Sequence, residues 1–124
     1  MRRLLLGLSI LLLPIPALAT AQSKLPFEGR WSLRTVADCK KPFAEVGENK
    51  PHKFSRTELE FYESSCRVRS IKRDGDTFTL TTLCQGEGET WRETVHLRAL
   101  GDNRLERIQG TGRDRTRVLY TRCD

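Results

Sequence analysis

Few residues in this chain are of types that do chemistry, and their spacing decides what each can do. Four cysteines, Cys39, Cys66, Cys84 and Cys123, stand 27, 18 and 39 positions apart. A zinc site needs clustered thiolates, usually in C-x2-4-C pairs, so this spacing disfavours metal. An even count of scattered cysteines in a short exported chain reads instead as two disulfides. His52 and His96 sit on separate segments among charged neighbours and read as exposed surface residues, not as bases held against a nucleophile. With the cysteines oxidised, no nucleophile-base-orienter set remains, and the chain is expected not to be an enzyme. Glu58, Glu60 and Glu63 read as a solvated face. Glu93 is the odd carboxylate, because it falls on the apolar face of its strand. It is expected to be either a buried acid with a raised pKa or the partner of an arginine such as Arg117. Asp74-Gly75-Asp76 lacks the further oxygen ligands of a calcium loop, and turn chemistry explains it. No cofactor is expected.

The most concentrated charge lies at the C-terminal end, where Arg104, Arg107, Arg113, Arg115, Arg117 and Arg122 crowd together. Arg113, Arg115 and Arg117 alternate, so on an extended segment they point the same way. They form a candidate anion-binding surface, for an anionic envelope surface or an acidic protein. The competing reading is a solvated strand edge whose charges discourage aggregation. Nucleic acid is not an expected partner, since an exported chain without exposed aromatic platforms offers it little.

These residues are positioned by a chain that opens with a targeting segment. Arg2 and Arg3 precede an apolar run from Leu4 to Leu13, broken by Pro14 and Pro16. Ala17-Leu18-Ala19 is a small-x-small cleavage site, and Ala19-Thr20-Ala21 is a second candidate. The run is too short to span a bilayer and reads as a signal peptide over residues 1–19, with cleavage after residue 21 as the alternative. No later stretch is apolar enough to be a transmembrane segment. The expected location is exported, periplasmic or secreted. The formal charge of +6 falls to +4 once Arg2 and Arg3 are removed. Residues 20–124 make one β domain, of a size that benefits from cross-links.

Within that domain the alternation is of period 2 and no useful 3.6-period stretch competes. Strands are expected over Phe27–Val36, His52–Ser55, Glu58–Tyr62, the two arms of a hairpin from Cys66 to Cys84, Thr90–Leu100, Arg104–Gln109 and Arg115–Arg122. Ala37–Pro51 is a loop with a helical turn around Phe43–Val46. The fold class is all-β, a small antiparallel meander of seven or eight strands, barrel-like or sandwich, with the barrel preferred because every connection after Ser55 is short. A chain of this length is expected to fill its own core.

The hairpin fixes a disulfide. A turn centred on Gly75 places Cys66 opposite Cys84, so that these two can be bridged directly. The same register sets Lys72 beside Phe78, which a bulge near Ile71 would repair. Cys39–Cys123 then remains, reachable if seven strands bring both ends to one pole and awkward with eight. The rival pairing is Cys39–Cys66 with Cys84–Cys123.

Two resemblances follow from local patterns. Gly29-Arg30-Trp31 resembles the G-x-W motif on the first strand of lipocalin-type barrels, where the Trp plugs one end. Phe61-Tyr62-Glu63-Ser64-Ser65-Cys66, Cys84-Gln85-Gly86-Glu87-Gly88-Glu89 and the closing Tyr120-Thr121-Arg122-Cys123 resemble a group of small exported alphaproteobacterial proteins. That resemblance implies an envelope or secreted location and a cysteine-stapled β domain, and brings no activity or site. The expected function is a non-catalytic binding or structural envelope protein. The alternatives are a periplasmic inhibitor of a lytic enzyme or protease, and a small-ligand-binding barrel.

Overall fold

The period-2 alternation becomes eight strands in a computed structural model that describes residues 10–16 and 23–124. They are β1 (Gly29–Ser32), β2 (His52–Phe54), β3 (Glu58–Glu60), β4 (Ser65–Asp74), β5 (Thr77–Gly86), β6 (Glu89–Ala99), β7 (Arg104–Gln109) and β8 (Thr116–Arg122). Each pairs antiparallel with the next, and β8 returns to β1 through Trp31 opposite Arg122 and Ser32 opposite Thr121. The sheet therefore closes as an up-and-down barrel, which leaves the ladder no continuous open edge. The signal-peptide cleavage sites at 17–21 lie outside the described residues. Residues 10–16 have no regular structure, and Ile10, Leu11, Leu12, Leu13 and Ile15 take no part in the core. No helix among the described residues is long and apolar enough to cross a membrane.

The interior is filled from alternate positions of the strands. Trp31, Phe54, Leu59, Phe78, Leu80, Val95, Leu97, Leu105 and Tyr120 are buried, together with Phe27 just before β1. Strands of opposite direction alternate, so the barrel has two poles. At one pole Phe27 packs edge-on against Phe78 at 5.1 Å. Trp31 lies beside them and donates its indole N–H to the Phe27 carbonyl at 2.8 Å. Arg122 lies over the Trp31 ring at 4.2 Å. It donates from Nε, Nη1 and Nη2 to the carbonyls of Asp102, Glu28 and Pro26 at 2.7, 2.9 and 2.9 Å. This pole is sealed. Gly29 belongs to the seal, since its φ is +136° and a Cβ there would stand 2.7 Å from Arg122 Nη1. A side chain at position 29 would push the guanidinium off the indole.

The central hairpin has the expected disulfide and a shifted bulge. Cys66 and Cys84 are direct partners, bridged with their Cα atoms 3.9 Å apart. The register slips between Val68 and Ser70, so the extra residue is Arg69, two positions before Ile71. Beyond it Ile71 faces Leu80, and Arg73 takes the place opposite Phe78, its guanidinium 5.0 Å from the ring. The bulge keeps an apolar residue against the core on both sides of the slip.

The second bridge is Cys39–Cys123, formed although the strands number eight. The first strand is the reason. It ends at Ser32 and not at Val36, where the Ser32 hydroxyl donates to the Thr35 carbonyl at 2.7 Å and accepts from the Arg34 N–H at 3.3 Å. The chain turns back into a short helical turn over Val36–Lys40. Arg30, which points outward from β1, donates to the Cys39 carbonyl, and its own carbonyl accepts from the Cys123 N–H. Asp38 anchors the turn, buried and bonded by Arg34 at 2.7 Å and Lys41 at 2.9 Å. Those bonds, Lys41 first, hold its carboxyl below the usual range. The loop that follows contains α1 (Phe43–Val46), the helical turn expected there, with Val46 buried.

Candidate ligand-binding site

The other pole is a mouth. β2 begins there at His52, the connection from β3 to β4 crosses it with Phe61 and Tyr62, and β7 ends there with Arg107 and Gln109. On each strand the alternation decides which side chain faces inward. His52 shares a face with Phe54, and Arg107 shares one with Leu105. Both polar residues are therefore carried into the barrel, with exposures of only 5% and 8%.

Tyr120 joins them from β8. Its hydroxyl lies 2.8 Å from His52 Nδ1 and accepts from Arg107 Nε at 2.7 Å. An arginine only donates, which leaves the phenol's single proton free for His52 Nδ1 when the imidazole is neutral. In that arrangement the histidine is neutral and carries its proton on Nε2. Burial, and then the positive charges of Arg107 and Lys50, lower the His52 pKa to about 4. Burial raises Tyr120 to about 12, against the lowering effect of Arg107. At neutral pH the cluster holds one charge, that of Arg107.

Among the described residues no carboxylate is in contact with that charge, and Arg107 forms no ion pair. Its neighbours are neutral: the Tyr120 hydroxyl at Nε, the Gln109 side-chain carbonyl at Nη1, and the face of Phe61 at 4.9 Å. Aromatic edges complete the surround, with His52 5.1 Å from Phe61 and 5.4 Å from Tyr120.

Above the cluster is an open depression of about 500 Å³, lined by residues including Leu33, Phe61, Tyr62, Glu93, Asp114 and Thr116, with His52 and Arg107 at its floor. Two further depressions, about 470 and about 740 Å³, lie along the β3–β5 side of the barrel and involve Glu58, Arg67 and Leu83 or Lys50, Glu60, Glu63 and Glu89. Neither has a buried charge in it. Size alone does not separate the three, and chemistry favours the mouth.

The residues singled out in the sequence are distributed differently. His52 is not the surface residue expected, because it lies on the inward side of β2. His96 is exposed on β6. Glu93 is half-buried on the mouth wall, and Arg117 bonds Glu106 at 2.8 Å, not Glu93. The β4–β5 turn is the two residues Gly75-Asp76, with Asp74 already paired to Thr77, so it is centred between Gly75 and Asp76 and not on Gly75. Arg113, Arg115 and Arg117 are all exposed but do not share one extended segment: Arg113 lies in a helical turn over Gly112–Asp114, Arg115 follows it, and only Arg117 is in β8. His52 and Arg107 were missed as a pair, although the alternations His52-Lys53-Phe54 and Leu105-Glu106-Arg107 carried the signal. No protein-family model, curated protein or solved structure matches the chain significantly.

Proposed function

We propose that this protein is an exported, non-catalytic binding barrel that takes up a small molecule through its open mouth. The asymmetry of the poles carries this reading. One pole is closed by Trp31, Phe27, Phe78 and Arg122, whereas the other leaves a depression of about 500 Å³ over a buried polar cluster. That volume is within the range of small-molecule sites, and the walls are mainly polar with an apolar and aromatic strip from Leu33, Phe61 and Tyr62. The leader pattern and two disulfides support an oxidising, exported setting. The reading is tested by near-UV circular dichroism of the oxidised protein with a panel of small amphiphiles. Binding at the mouth changes the Tyr62 and Tyr120 signals and is lost on filling the depression with Thr116→Trp. Saturable binding that survives Thr116→Trp would place the site elsewhere.

A second reading has its own observation. Arg113 and Arg115 are exposed and form no ion pair among the described residues, which supports a surface for an anionic envelope component or an acidic protein. Salt-sensitive retention on anionic vesicles, lost on Arg113→Glu with Arg115→Glu, is its expected result.

A further inference from the structure

Burying a guanidinium costs several kcal/mol unless a countercharge and hydrogen bonds repay it. Arg107 is 92% removed from solvent, since its exposure is 8%, and it reaches the floor of the mouth depression. Of its five N–H groups, one goes to the Tyr120 hydroxyl and one to Gln109. Nη2 donates to no described residue, and it is not sealed away from the surface. Three of its N–H groups are thus unclaimed by the described residues, on a side chain that lines the depression. Tyr120 and Gln109 fix the plane of the fork without neutralising it, and Phe61 supports its face.

We infer that the mouth binds a carboxylate attached to an apolar or aromatic body, with Arg107 holding the carboxylate. This rests on the binding-barrel reading and names the chemistry of its ligand. A carboxylate supplies two acceptor oxygens to the unclaimed N–H groups and the negative charge that the floor lacks. Leu33, Phe61 and Tyr62 give the body apolar and aromatic surface. Glu48 and Asp114 also line the depression but are exposed, where water screens them. Glu93 is the half-buried carboxylate, and the ligand must prevail against it.

The test uses dansyl-amino acids of graded chain length and their carboxamides, followed by dansyl fluorescence with the oxidised protein at pH 7. The expected result is binding of at least one carboxylate about tenfold or more tighter than its carboxamide, as a charge-assisted hydrogen bond implies. Arg107→Gln erases that preference, and Arg107→Lys retains part of it. Thermal melts and circular dichroism confirm that both variants fold. Equal binding of acid and amide by the wild type overturns the role of Arg107 and leaves the binding barrel standing. A preference unchanged in Arg107→Gln overturns it equally. No binding by any member of the series overturns both.

Discussion

Each pole of the barrel holds an arginine beside aromatic rings, and the two are treated in opposite ways. Arg122 at the sealed pole gives every nitrogen to a backbone carbonyl and lies on Trp31. Arg107 at the mouth gives two nitrogens to neutral side chains and leaves the third uncommitted. The backbone carbonyls that hold Arg122 come from the lead-in before β1 and the β6–β7 turn, so this arginine ties distant segments of chain together. Arg107 ties only its neighbours on β7 and β8. The same side chain is a clasp where all three nitrogens are engaged and, on the proposed reading, a binding group where one is left open.

The largest expected effect falls on both poles. The bridges close separations of 84 and 18 residues and contribute roughly 4.6 and 3 kcal/mol in the loop-entropy model. Their sum rivals the whole stability of a small domain, so full reduction unfolds the barrel. Under mild reductant, mass spectrometry after alkylation shows Cys39–Cys123 opening first, because its cysteines are half-buried while Cys66 and Cys84 are buried. A thermal melt unmoved by excess reductant counts against this account.

Removing the plug comes next. Trp31→Ala costs about 3–5 kcal/mol in urea unfolding, the range for a large buried aromatic. A loss under 1 kcal/mol would mean that the pole is not sealed as described.

The mouth cluster adds a pH dependence. His52 has a folded pKa of about 4, below the ordinary 6.5, so its contribution is complete above pH 6.5 and is lost as pH falls toward 4. Within that window the unfolded chain holds a proton that the folded one refuses, and the accumulated loss amounts to at most about 3 kcal/mol. The phenol sets the alkaline limit: Tyr120 contributes stability up to about pH 10, which declines as pH rises toward 12. Urea midpoints from pH 4 to 7 check the acid limb, which flattens in His52→Gln.

The arginines then separate in a direct comparison. Arg122→Met strands three carbonyls and costs about 1–3 kcal/mol, whereas Arg107→Met removes an unpaired buried charge and leaves stability within about 1 kcal/mol of wild type, or raises it. Equal losses would erase the contrast between clasp and binding group. The smallest effect is at Glu93. Glu93→Gln removes the half-buried carboxylate from the mouth wall and tightens a carboxylate probe by roughly twofold to fivefold, read by titration. Weaker binding would show that Glu93 belongs to the ligand contacts.

The strands and the first bridge were legible because both depend on neighbours in sequence. Arg104–Gln109 is a strand at the expected bounds. Cys66 faces Cys84 as expected, but through the bulge: the turn falls between Gly75 and Asp76 and alone would set Cys66 opposite Gln85, and the extra residue Arg69 restores the pairing. The bulge was legible in kind and displaced in place. The need to bring Ile71 to Leu80 shows in the pattern, but a slip at any of several residues achieves it. His52 was misread because charged neighbours in sequence, Lys50 and Lys53, suggested solvent. Its environment is set by Tyr120 and Phe61, which the barrel brings from other strands.

By itself the sequence determined the all-β class, the meander, the hairpin bridge and the leader pattern, since alternation, turn residues and local spacing are properties of adjacent residues. Only closure of the barrel decided the rest. It selected eight strands, and the early turn at Ser32 let Cys39 reach Cys123 despite that count. It also placed His52, Arg107 and Tyr120, from three strands, within hydrogen-bonding distance. An arginine's charge can be read from sequence, but whether a countercharge meets it depends on side chains that approach through space.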